Sequence, residues 1–130
     1  MGTSPDEPSL DTMETIARAE FSALPKEFRD LTGDVMFVLA EEPDRQTMEE
    51  LGIAHTNQLL GLFRGAPLAA RLANMAGPEP TMIFLYRRPI LHHAQACRLE
   101  TAQVVRHVLI HEIGHHFGLS DADMARFDAE

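Results

Sequence analysis

The chain has 130 residues, 45% of them hydrophobic, a formal net charge of −9 and a single cysteine, Cys97. That length suits one domain with a modest core, and the acidity argues against nucleic acid or an anionic membrane surface as a partner. One cysteine excludes an internal disulfide, and no apolar run approaches transmembrane length.

The first eleven residues, "MGTSPDEPSLD", are polar and acidic and lack the basic start and apolar run of a signal peptide. They are expected to form a disordered tail ahead of a single domain over residues 12–130, with a cytoplasmic location. Next, "TMETIARAEFSALPKEF" sets Met13, Ala17, Phe21, Leu24 and Phe28 at helical spacing, with Pro25 ending or kinking the helix after Leu24. "GDVMFVLAE" reads as a buried strand after a Gly-Asp turn. "EPDRQTMEELG" suggests a short helix stopped by Gly52, and "QLLGLFRGAP" a strand running into a turn. "LAARLANMAG" fits a helix or a loop, and "GPEP" is a breaker. "TMIFLYRRP" is the second strong strand, ended by Pro89. Arg87 and Arg88 in it read as a solvated turn or as a clamp for a substrate carboxylate.

The last long element is a helix from about Leu99 to Phe117. Leu109, Ile113 and Phe117 recur at steps of four, with Ile110 beside them. His107, His111 and His115 recur at the same step. At about 100° per residue the two rows lie on nearly opposite sides, so one packs on the domain and the other presents imidazoles elsewhere. Gly118 supplies a left-handed stop. Segregated helices and strands predict an α+β fold, with two helices packed on a small, mostly antiparallel or mixed sheet.

The sequence "HEIGHHFGLSD", His111 to Asp121, carries the chemistry. Zinc favours tetrahedral sites built from imidazole and carboxylate, and two histidines four apart on a helix can reach one ion. His111 and His115 have that spacing. Glu112, one residue round from His111, is poorly aimed as a ligand but well placed as a general base. A catalytic zinc needs a third protein ligand and one open position. His107 lies eight residues from His115, about 12 Å along the axis, so one straight helix cannot bring both to one ion with His111. The third ligand must follow a turn, which Gly118 provides; Asp121 is the leading candidate and Asp123 its competitor. H-E-x-x-H alone arises by chance about once in sixty chains of this length; the added Gly118 and Asp121 make chance a poor explanation.

This stretch resembles the H-E-x-x-H-x-x-G-x-x-D signature of zincin metallopeptidases that use aspartate as third ligand. The wider chain, about residues 13–127, resembles the small bacterial zincin-like (mini-zincin) family through "LPKEF", "LLGLFRGAPL", "TMIFLYRRPI" and "VLIHEIGHHFGL". The resemblance implies a minimal zincin fold, in which an N-terminal helix backs a C-terminal active-site helix beside a small sheet. It implies one Zn²⁺ on His111, His115 and Asp121, with Glu112 as catalytic base and Gly118 as the turn. It also implies a peptide or protein substrate bound in extended form along a strand, either "LLGLF" or Met82–Tyr86. The expected function is a zinc-dependent metallopeptidase. The alternatives are a non-catalytic zinc- or peptide-binding module and a hydrolase of small-molecule amides.

A departure from larger zincins is expected: nine residues follow Asp121 here, and no C-terminal subdomain is expected to wall a cleft. Neither Met124 nor Met82 is assigned to a Met-turn. Tyr86, His92 and His93 are candidates for stabilising an oxyanion. His107 is expected to pack or hydrogen-bond one turn below the site, His116 to lie on the surface or cap the helix, and Cys97 to be a semi-buried thiol.

Overall fold

The computed structural model describes residues 7–65 and 81–129. "LAARLANMAG", "GPEP" and the start of the expected tail lie outside them. Helix α1 runs from Leu10 to Ala23, starting inside the segment read as tail. Ser9 caps it by accepting a hydrogen bond from the Thr12 N–H at 3.2 Å, which satisfies one of the free donors of the first turn. The helix stops at Leu24, before Pro25, and a single turn, α2 (Lys26–Arg29), follows.

Strand β1 (Val35–Ala40) leads to α3 (Arg45–Leu51), capped by Asp44 and ended by Gly52 at φ 67°. A 3₁₀ turn at Thr56–Gln58 precedes β2 (Gly61–Arg64). Strand β3 (Thr81–Tyr86) lies in the middle of the sheet, in the order β1-β3-β2. It pairs parallel with β1 and antiparallel with β2, so the sheet is mixed. Phe37, Phe63, Ile83 and Leu85 alternate onto one face and are buried there.

The chain then forms a helix that the sequence reading missed. Helix α4 (Arg87–Cys97) starts directly at the end of β3. Pro89 sits in its first turn, where a missing N–H costs nothing because that turn has no acceptor for it. Arg87 is not solvated: it is 8% exposed. Its Nε donates to the Pro8 carbonyl at 2.7 Å and its Nη1 to the Glu41 carboxylate at 3.2 Å. The arginine ties the lead-in to α1 and the end of β1 to the start of α4.

Helix α5 (Thr101–His116) is the long histidine-bearing element, and α6 (Asp121–Ala129) folds back along it. Val105, Leu109, Ile110 and Ile113 of α5 are fully buried with Met13 and Ala17 of α1. The N-terminal helix therefore backs the histidine helix, and the architecture is α+β as expected. No helix among the described residues is long and apolar enough to cross a membrane.

Strand β2 meets α5 at Gly61. A Cβ there would lie 2.6 Å from Val108 Cγ1 and 2.9 Å from the Phe84 carbonyl oxygen. The carbonyl belongs to the sheet and cannot swing aside. Gly61→Ala is therefore expected to lower stability by about 1–3 kcal/mol, read from the urea midpoint. An unchanged midpoint would mean that β2 does not seat this closely on the helix.

Candidate metal centre

The end of α5 is built by its glycines. Gly118 takes φ 75°, and the Leu119 N–H returns to the Gly114 carbonyl at 2.9 Å, closing the left-handed stop anticipated at that residue. Ser120 then caps α6 by accepting from the Asp123 N–H at 3.1 Å, which makes Asp121 the first helical residue. Helix α6 runs antiparallel to α5. Met124 is fully buried against Gly114, where a Cβ would lie 2.5 Å from the Met124 Sδ. Farther along, Arg106 Nη2 donates to the Phe127 carbonyl at 2.8 Å, and Phe127 packs edge-on against Phe28.

This pairing sets two rows side by side. On α5 the rings of His107 and His111 are 4.0 Å apart between centroids, and those of His111 and His115 are 5.7 Å apart. On α6, Asp121 and Asp128 are seven residues apart, two turns, and so share a face. His107 Nδ1 lies 2.6 Å from Asp128 Oδ2. His115 and Asp121 are both exposed, on the last turn of α5 and the first of α6. Among the described residues, the three-donor group whose ligand atoms all lie within 4.8 Å of one another is His107, His111 and Asp128. His115 and Asp121 stand outside that group. Asp123, the competitor for third ligand, lies 4.0 Å from Arg126.

Asp128 escaped the sequence reading because it lies beyond the motif. Its signal was the seven-residue step from Asp121, which has meaning only once a second helix is known to follow Gly118.

Burial, followed by the neighbouring His107, lowers the pKa of His111, which favours the neutral imidazole with a free lone pair. Glu112 is partly buried, and desolvation raises its pKa from 4.5 to about 7. No hydrogen bond or ion pair engages its carboxyl among the described residues. Partial desolvation without a partner disfavours the ionised carboxyl, and perturbed groups of this kind cluster at functional sites. Tyr86 is 3% exposed, and burial holds its phenol above the usual range, with the charges of Asp44 and Glu112 adding to the effect. The hydroxyl stays protonated at neutral pH and available as a donor. Tyr86 also lines a groove of about 220 Å³ with Leu62, Arg64 and Phe84 of the sheet, Glu50 of α3 and its cap Asp44.

Other expectations are corrected. His116 is neither free on the surface nor a cap: its ring stacks 4.2 Å from that of Phe63, and its Nε2 is buried with no hydrogen-bond partner among the described residues. Cys97 is exposed rather than semi-buried, with its Sγ 3.7 Å from His93 Nε2. His92 and His93 belong to α4 rather than to a loop.

Imidazoles and carboxylates set side by side, with a partly buried acid next to them that has no partner among the described residues, suit a divalent metal of the zinc type, which prefers nitrogen and oxygen donors. Among known families, residues 32–130 match the zincin-like metallopeptidases. No curated protein matches the chain.

Proposed function

The chain belongs to the zincin-like metallopeptidase family, and from that premise we propose that it is a zinc-dependent peptidase, with His111, His115 and Asp121 as ligands of one ion and Glu112 as general base. The observation that carries this reading is the end of α5, where the His111 and His115 rings stand 5.7 Å apart between centroids and the partly buried Glu112 lies next to His111 with no partner among the described residues. When bound, zinc lowers the pKa of a coordinated water toward about 7 and polarises a carbonyl. Glu112 accepts the proton as water attacks the scissile carbonyl and delivers it to the leaving amine. Tyr86, whose buried phenol feels the charge of Glu112, would donate to the developing oxyanion.

The substrate in this reading is a peptide in extended form. Of the two strands that could pair with it, β3 is flanked on both sides, whereas β2 pairs only with β3 among the described strands. β2 also lies against α5 at Gly61, so its free edge is the one supported beside the histidine row. A cytoplasmic site of action belongs to the same reading, supported by the single exposed thiol.

The ligand set is tested by metal content. Asp121→Ala is expected to lose zinc under dialysis conditions in which the wild type keeps one ion, measured by elemental analysis. Unchanged affinity would remove Asp121 from the site.

A further inference from the structure

The antiparallel pairing of α5 and α6 makes a ladder with two rungs. His115 and Asp121 occupy the end near the turn, and His107 and Asp128 the far end, with His111 between them. The rungs are separated by eight residues on α5, about 12 Å, and by seven on α6. One ion therefore cannot use both, yet His111 is within one helical turn of either histidine. The family motif describes the first rung. At the second, the donor atoms of His107, His111 and Asp128 already lie within 4.8 Å of one another.

We propose that His107, His111 and Asp128 form a second zinc-binding position, which shares His111 with the motif position and so competes with it for the ion. The donor set, two imidazoles and a carboxylate, matches zinc. Donors around a tetrahedral zinc stand about 3.3 Å apart, so His107 and Asp128 must open from 2.6 Å and His111 must close in. Both movements are available to partly exposed side chains: those of His107 and Asp128 are 49% and 29% exposed. A cavity of about 350 Å³ opens onto His107 and Asp128 beside Gln103 and His93, so water can complete the coordination. The ion would take the place of the close His107–Asp128 contact. The same helix pair then offers two registers, and occupancy of the second withdraws His111 from the first. The inference rests on the proposed ligand set only through His111.

The test uses Co²⁺ as a spectroscopic stand-in for zinc, read by its visible absorption and by metal content, with helicity and thermal unfolding checked for every variant. His115→Ala removes the motif register and is expected to bind one ion with the absorption of a four-coordinate site. Adding Asp128→Asn to it should abolish that signal, while adding Asp121→Asn should not. The proposal is overturned if folded His115→Ala binds no ion, or if its binding survives Asp128→Asn. The motif register is read separately in His107→Ala/Asp128→Asn. Binding that persists there and is lost on adding Asp121→Asn supports two registers. Loss of the ion in the double variant alone overturns both the competition and the proposed motif ligands, leaving a single position on His107, His111 and Asp128.

Discussion

Glu112→Gln is expected to keep zinc at the wild-type level and to lower peptide hydrolysis by about 10²–10⁴-fold, the usual contribution of a general base. Glutamine has nearly the same shape and still accepts a hydrogen bond, but it cannot take a proton from water. Full hydrolysis of a verified substrate by this variant would sink the mechanism. The same substitution has an opposite effect on the metal-free protein. Burial places the folded pKa of Glu112 at about 7, above its ordinary 4.5, so ionising it opposes folding. The stability associated with the protonated carboxyl is fully present below about pH 4 and is lost as pH rises through 7. Without zinc, Glu112→Gln should therefore be more stable than the wild type at pH 8, by about 1–3 kcal/mol once solvent screening of a partly exposed carboxyl is allowed for. The difference should vanish near pH 4. Denaturant curves at the two pH values check this, and equal stabilities at pH 8 would mean that the carboxyl is not desolvated. Both results together would show one side chain weakening the empty scaffold and serving the loaded one, a trade common at functional sites.

Met124→Ala is the substitution expected to cost most in the scaffold, about 2–5 kcal/mol. Met124 is fully buried and lies directly on Gly114, between the two helices that carry the histidine and aspartate rows. Removing its side chain leaves a cavity that the sequence neighbours cannot fill, because Gly114 has no side chain to move into it. Zinc affinity should fall as well, since Asp121 is held at the start of the helix that Met124 anchors. Met124→Leu conserves volume and should cost less than about 1.5 kcal/mol. Met36→Ala is the control, because Met36 is 50% exposed on β1. If Met124→Ala destabilises no more than Met36→Ala, α6 does not dock through this contact.

Much of the molecule was legible in local patterns. The spacing of Met13, Ala17 and Leu24 defines α1, and Gly52 marks the end of α3, because left-handed stops are written in one or two residues. The apolar, β-forming runs "VMFVLA" and "TMIFLY" mark two of the strands. The opposed rows of α5 are visible because helical period alone places Leu109 and Ile113 away from His107, His111 and His115. Helix α4 was hidden for an equally local reason: Pro89 is a breaker inside a helix but is tolerated in its first turn, and no single residue says which applies. Arg87 was misread because its partners, Pro8 and Glu41, come from segments 79 and 46 residues away.

The sequence by itself determined the donor types, the four-residue histidine step, the acid beside it and the turn at Gly118. These follow from residue chemistry and helical geometry, which act over a few positions. Only the tertiary structure decided the rest. It buried Glu112 far enough to move its pKa, put β3 between β1 and β2 among the described strands, and laid α6 back along α5 so that Asp128 meets His107. Desolvation, strand order and helix pairing depend on what the rest of the chain brings alongside, and no local pattern of residues carries that information.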